Sequence, residues 1–203
     1  KTSVGFGGSC FQKDILNLIY LSSYFGLPEV AAYWSKVIEL NNWQQKRISE
    51  IILNKLYGTL NNKKISILGF AFKANTDDTR ESPAINICKN LIEEGAQLYI
   101  YDPKVTSSQI EQALGSIPLE KDSNVELSGW VCADSICQAS INADAVVILT
   151  EWDEFKNIDW EDLYKNMRAP SWIFDTRNIS DTSKAEILGF NIWKVGRNKI
   201  CNY

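Results

Sequence analysis

Lys64-Ile65-Ser66-Ile67-Leu68-Gly69, the run from Ser82-Pro83 to Glu94-Gly95, and Leu98-Tyr99-Ile100-Tyr101-Asp102-Pro103 read in that order as strand, helix and strand. Ile65 to Gly69 is a short apolar run, as in a strand buried on both faces. A polar loop follows from Phe70 to Ser82. Ser82 then caps a helix that has Pro83 in its first turn and Gly95 at its end. Asp102-Pro103 stops the second strand, and the whole is one βαβ unit. Downstream come a helix near Ser107 to Leu114, an irregular polar stretch to about Ser128, and a short helix near Ser135 to Ser140. The strand Ala145 to Leu149, a helix from Trp160 to Met167, and two last strands, Trp172 to Asp175 and Phe190 to Trp193, complete the pattern. Strands alternating with helices predict an α/β fold with a doubly wound parallel sheet.

Upstream of Lys64 the pattern is helical. Phe11 to Phe25 carries Ile15, Leu18, Ile19 and Leu21 at helical spacing, Gly26 closes it, and Pro28 opens a second helix. Nothing breaks that helix before about Tyr57, and Gly58 ends it. Thirty residues make a rod of ~45 Å, longer than a small domain is wide. Such a rod bridges two domains or packs against a partner subunit. Val30, Trp34, Val37, Ile38, Ile48, Ile51, Ile52 and Leu56 supply most of one apolar face. Asn41, Asn42, Gln44 and Gln45 interrupt it midway, which is unlike a simple coiled coil. The chain thus divides into a helical segment, 1–60, and an α/β domain, 63–203, joined by the long helix.

The composition narrows the chemistry. The chain of 203 residues has a formal net charge of −4 and no basic run, so it lacks the footprint of a nucleic-acid binder. It contains no histidine, which excludes Ser-His-Asp and Cys-His pairs, an HExxH zinc site and imidazole as general base. No metal site is expected. Any catalysis must use carboxylates, lysine, arginine, tyrosine or cysteine, or groups supplied from elsewhere. No apolar leader and no run of 18 apolar residues is present, so neither a signal peptide nor a membrane span is expected. A glycine-rich loop at residue 5, with no initiator Met before it, suggests a piece of a longer chain. The five cysteines form no CxxC pair, which fits reduced thiols in a cytoplasmic protein. Cys88, Cys132, Cys137 and Cys201 are expected to be mostly buried as small hydrophobes.

Ligands of open α/β sheets bind beyond the carboxyl ends of the strands. Phe70 to Arg80, Asp102, Thr150-Glu151-Trp152 and Thr176-Arg177 all fall there. Lys73, Arg80 and Arg177 converge on that edge beside the helix start at Ser82. The position fits a phosphate or diphosphate site, and equally a solvated loop edge. The turn after the first strand reads Gly69-Phe70-Ala71-Phe72-Lys73 and lacks GxGxxG, which disfavours ordinary NAD binding in this domain. Asp102 is either a ribose ligand or the turn residue before Pro103.

Gly5-Phe6-Gly7-Gly8-Ser9-Cys10-Phe11-Gln12-Lys13-Asp14 carries more chemistry. Its glycines let backbone approach a ligand closely. Cys10 stands at a helix start, where unpaired N–H groups favour the thiolate. Asp14 lies on the same helical face and can orient a water or alkoxide near the sulfur. The alternative is a glycine hinge, a buried cysteine and an aspartate that merely suits the first turn.

GFGGSCFQKD resembles the catalytic-cysteine motif of the UDP-glucose 6-dehydrogenase family, and GFAFKANTDDTRESPA resembles its nucleotide-sugar-binding loop. YDPKV, TEWDEF and FDTRN extend the likeness collinearly over essentially the whole chain. The resemblance implies a helical dimerisation segment followed by a Rossmann-like UDP-binding domain, with the family's NAD-binding domain absent from this chain. It implies an NAD-linked oxidation of UDP-glucose to UDP-glucuronate by a homodimer or higher oligomer, with Cys10 as nucleophile and Asp14 assisting water or proton transfer. Lys1, Thr2, Ser3, Val4, Gly5, Phe6 and Gly7 match the loop that wraps the substrate. Phe72, Lys73 and Arg177 match further substrate-binding positions. Cys10, Phe11, Gln12, Lys13 and Arg80 match positions that reach the nicotinamide cofactor. The resemblance leaves catalytic glutamate, lysine and asparagine positions without counterparts, so this chain alone is expected to be inactive. Alternatives are a sister enzyme for GDP-mannose or a UDP-N-acetylhexosamine, against which SCFQKD argues, and a non-catalytic sugar-nucleotide-binding and dimerisation module.

Overall fold

Six strands lie side by side, all parallel, in the computed structural model, which describes residues 2–115 and 128–197. Lys1, Cys201 and most of the polar stretch before Ser128 lie outside the described residues. The strands are β1 (Lys64–Leu68), β2 (Gln97–Tyr101), β3 (Gly129–Cys132), β4 (Ala145–Ile148), β5 (Trp172–Asp175) and β6 (Asn191–Lys194). Their order across the sheet is β3-β2-β1-β4-β5-β6. The order reverses between β1 and β4, so the doubly wound sheet expected from sequence has its ligand crevice where these two strands end.

β1 and β4 are buried at every position, β4 as an unbroken apolar run and β1 with Lys64 and Ser66 buried among its apolar residues. β3 corrects the sequence reading, which ended an irregular stretch at Ser128 and placed no strand after it. Four residues led by glycine, Gly-Trp-Val-Cys, carry little strand signal of their own, and pairing with β2 makes them a strand. The helices around the sheet are α3 (Pro83–Glu93), α4 (Ser107–Leu114), α5 (Ile136–Ser140), α6 (Trp160–Asn166) and α7 (Ser183–Leu188). A 3₁₀ turn spans Asp153–Lys156. That turn and α7 were also absent from the reading, because each is too short to display a period.

α1 (Phe11–Tyr24) and α2 (Pro28–Lys55) precede the sheet. Only the C-terminal part of the expected α2 stripe enters the core: Ile48, Ile52 and, just past the helix end, Leu56 are buried there. Each such side chain contributes roughly 2 kcal/mol by leaving water. Earlier on the stripe Val30 is exposed, and Trp34, Val37 and Ile38 are half-buried. The polar interruption is itself buried at Asn41 and Gln45. Cys88 is fully buried as expected, but Cys132 is half-buried and Cys137 exposed. Cys137 sits in the first turn of five-residue α5, too short to cover it.

Two buried carboxylates fix the loops at the ligand edge. Asp102, just past β2, accepts through Oδ2 from the amides of Phe70 (2.7 Å) and Ala71 (3.0 Å) and the Trp152 indole N–H (3.2 Å). Through Oδ1 it accepts from the amides of Lys104 and Val105. Asp175, at the end of β5, accepts from the amides of Arg177, Ile179 and Ser180 and from the Ser180 hydroxyl, with Lys194 Nζ 3.6 Å away. Both therefore hold turns that would otherwise carry unpaired N–H groups. Asp102→Ala strands five donors and is expected to cost about 3 kcal/mol. Urea denaturation should show a lower midpoint with an unchanged slope.

Candidate functional site

The N-terminal loop meets the sheet edge through contacts that only glycine permits. A Cβ on Gly7 would lie 2.3 Å from the Glu81 carbonyl oxygen and 2.8 Å from Pro83 Cδ. A Cβ on Gly8 would lie 2.9 Å from the Phe72 ring, and the Gly8 amide donates to the Arg80 carbonyl at 3.1 Å. The glycines thus lay the cysteine loop on the loop that follows β1. From the other side Asn41 of α2 clamps it: the Phe6 amide donates to Asn41 Oδ1 (2.8 Å), and Asn41 Nδ2 donates to the Phe6 carbonyl (3.1 Å). Gln45, one turn on, accepts from Asn86 of α3 at 2.7 Å. What reads in the sequence as a break in an apolar stripe is the seat of the loop.

Cys10 immediately precedes α1, as expected, and is exposed, which removes the buried-cysteine alternative. The Asp14 amide donates to the Cys10 carbonyl at 2.9 Å, which puts the two residues one helical turn apart on the same face. Ser9 Oγ lies 3.7 Å from the sulfur. The rings of Phe6 and Phe11 meet edge to face at 4.7 Å and tie the loop to the first turn of α1. Gln12 is half-buried, and Lys13 is exposed.

Arg80 forms a bidentate pair with Asp78, Nε to Oδ1 at 2.9 Å and Nη2 to Oδ2 at 2.8 Å. The hydrogen bond from Arg80 depresses the Asp78 carboxyl, and Asp78 in turn raises Arg80. Lys73 Nζ lies over the Phe72 ring, 5.3 Å from its centroid.

Arg177 follows β5, and its side chain is only 10% exposed. Its Nη1 donates to Ser3 Oγ at 2.6 Å, its Nη2 pairs with Glu151, and its carbonyl accepts from Thr2 Oγ1 at 2.9 Å. Burial lowers its pKa. Ser3 also turns the loop by donating to the Gly5 carbonyl, and Val4 is buried in the core. The structure therefore gathers Thr2 to Gly7, Cys10, Phe72, Arg80 and Arg177 along one edge. Asp102 is buried under the Phe70-Ala71 turn with both oxygens occupied, so the ribose-ligand alternative gives way to the turn role. Sequence reading missed Asn41 as the clamp, Asp78 as the partner of Arg80, and Glu151 as the partner of Arg177. The only available signal was the position of Glu151 just past β4.

The UDP binding domain of the UDP-glucose/GDP-mannose dehydrogenase family matches residues 66–182. The chain belongs to that family. It is 46% identical to UDP-glucose 6-dehydrogenase 4 of Arabidopsis thaliana, over 97% of this chain and 43% of that protein. It is 48% identical to UDP-glucose 6-dehydrogenase of Drosophila melanogaster, over 97% of this chain and 41% of the relative. A solved UDP-glucose dehydrogenase of the archaeon Pyrobaculum islandicum superposes with a TM-score of 0.70 at 26% identity, over 93% of this chain and 39% of that one. The chain thus spans about two fifths of the length of these family members. Among the described residues no helix is long and apolar enough to cross a membrane, and no group of three or more His, Cys, Asp or Glu could hold a metal ion.

Two substitutions test the seating of the loop. Gly7→Ala drives a methyl group into backbone, and Asn41→Ala leaves the Phe6 amide and carbonyl unpaired. Each is expected to cost about 1–3 kcal/mol and to speed proteolytic cleavage within residues 2–9. Melting curves and mass mapping of the first cuts check both.

Proposed function

We propose that this chain is the cysteine-bearing, UDP-binding part of an NAD-linked, cytoplasmic enzyme that oxidises UDP-glucose to UDP-glucuronate. One observation carries the reading. The loop that holds Cys10 also supplies Ser3 to Arg177 and lies on Phe72 and Arg80, so nucleophile and anion-binding groups share a single edge. The match to the family's UDP binding domain supports uridine diphosphate as the anion. The identity of 46–48% to UDP-glucose 6-dehydrogenases supports glucose as the sugar.

In this reading the diphosphate lies against Arg177 and the loop 2–7, with Phe72 and Lys73 alongside. The sugar then reaches toward the first turn of α1. Loss of a hydride from C6 and of the C6 hydroxyl proton gives the aldehyde. The Cys10 thiolate adds to its carbon, forming a C–S bond while the C=O π bond opens and its oxygen takes a proton, which gives a thiohemiacetal. Loss of the C6 hydride from that adduct gives a thioester. Asp14 positions the water that attacks the thioester carbonyl, and the C–S bond breaks to release the carboxylate and the thiolate, the two protons of the water passing to solvent. When bound, NAD supplies the hydride acceptor for both oxidations. Its dinucleotide cradle does not fit the switch point of this sheet, where GxGxxG is absent and Asp102 is fully engaged. Cys10, Phe11, Gln12, Lys13 and Arg80 fit the nicotinamide end alone. Residues 1–60 and 63–203 act in this scheme as helical and UDP-binding parts. The exposed Tyr20, Tyr24, Tyr33, Leu40 and Trp43 of α1 and α2 support a homodimer through the helices.

Calorimetry with UDP, UDP-glucose and GDP-mannose tests the reading. UDP and UDP-glucose should bind and GDP-mannose should bind at least about tenfold more weakly, a difference of ~1.4 kcal/mol. No binding of UDP removes the reading. The chain by itself should reduce no NAD in the presence of UDP-glucose. In the whole protein, Cys10→Ser should stop turnover before the second oxidation, and full conversion to UDP-glucuronate by that variant takes Cys10 out of the mechanism.

A further inference from the structure

Each of the two arginines of the candidate site is already paired with a carboxylate of its own chain, in very different surroundings. The Arg80 side chain is 70% exposed although Asp78 is only 20% exposed, so water can solvate this guanidinium without its partner. The Arg177 and Glu151 side chains are only 10% and 20% exposed. Parallel β4 and β5 are neighbours, so the loops that carry Glu151 and Arg177 leave the sheet at the same edge. Asp175 anchors the Arg177 turn through backbone amides, which fixes the guanidinium beneath the N-terminal loop. Ser3 caps Nη1 from that loop, and Glu151 takes Nη2.

We propose that Glu151 is the internal counter-anion of an anion subsite at Arg177, neutralising the guanidinium when no ligand is present and giving way to a phosphate group when one binds. The proposal rests on the reading of this edge as the UDP site. A bare guanidinium so poorly hydrated is unfavourable, and Glu151 removes that penalty in the free protein. A phosphate that enters beside the pair meets a carboxylate of its own sign where solvent screens little. Phosphate binding is therefore an exchange: the Nη2–carboxylate contact breaks, a guanidinium–phosphate contact forms, and Glu151 moves into water. Glu151 thereby lowers the affinity of the site for any anion, substrate and product alike, which helps product leave.

The test is calorimetric titration of UDP into the wild-type chain, Glu151→Gln and Glu151→Ala, with far-UV circular dichroism and melting curves to establish that both variants are folded. Gln keeps the size of the side chain and removes its charge, and Ala removes the side chain beyond Cβ. Both variants should bind UDP at least about fivefold more tightly than wild type, equivalent to ~1 kcal/mol. Binding by either variant that equals or falls below a measurable wild-type affinity overturns the proposal, leaves the UDP reading standing, and makes Glu151 a residue that merely holds Arg177 in place. Absence of UDP binding by the wild-type chain removes the UDP reading and the proposal with it.

Discussion

Backbone lies against backbone where Gly7 meets Glu81, and the rest of the site depends on that contact. A Cβ placed 2.3 Å from a carbonyl oxygen has nowhere to go, because Glu81 is followed directly by Ser82, the cap of α3, and by Pro83 in its first turn. The loop therefore reaches the sheet edge only as a glycine chain. Once it lies there, Gly8 donates to the Arg80 carbonyl, Ser3 accepts from Arg177, and α1 begins directly after Cys10. Asn41 makes the arrangement two-sided by meeting both the amide and the carbonyl of Phe6. A loop bonded to α2 on one side and to the sheet edge on the other keeps the cysteine in register with groups more than sixty residues away.

The edge itself is held from below. Asp102 and Asp175 end neighbouring halves of the sheet and spend their lone pairs on the amides of the turns above them. Thr150 adds a hydrogen bond to the Ala71 carbonyl at 2.6 Å, and Gly69, with φ of 93°, lets β1 turn within contact of Thr150. Buried carboxylates that saturate backbone donors make rigid turns, and a rigid turn is what a poorly hydrated arginine needs to keep one position. The site thus follows from placing charge-bearing side chains on turns that cannot relax. The same rigidity lets an ion pair inside the site act on ligand affinity.

Much of this was legible in the sequence because it depends on local pattern. The strands β1, β2, β4 and β5 are apolar runs bounded by Gly, Pro or Asp, and the caps at Ser82, Gly95 and Pro28 stand where the helices turn. Cys10, Asp14 and Arg177 could be placed from a helix start or a strand end alone. What escaped has no local signature. β3 is a strand because β2 needs a partner at its free edge. Asn41 and Gln45 look like a flaw in an amphipathic helix until the loop is folded onto Asn41 and Asn86 of α3 meets Gln45. Glu151 was visible at the end of a strand, but nothing in its neighbours along the chain points to Arg177, twenty-six residues on. Asp102 was read as either ligand or turn residue, and only the closure of the Phe70-Ala71 turn over it decides between them.

The central claim is that Cys10 and the anion-binding edge form one site. Alkylation of the intact chain by iodoacetamide, followed peptide by peptide in a mass spectrometer, measures it directly, since Cys10 and Cys137 are both exposed and Cys137 supplies an internal reference. Saturating UDP-glucose should slow modification of Cys10 at least about tenfold and leave Cys137 unchanged. Equal modification of Cys10 with and without UDP-glucose, under conditions where calorimetry shows the ligand bound, would contradict the account.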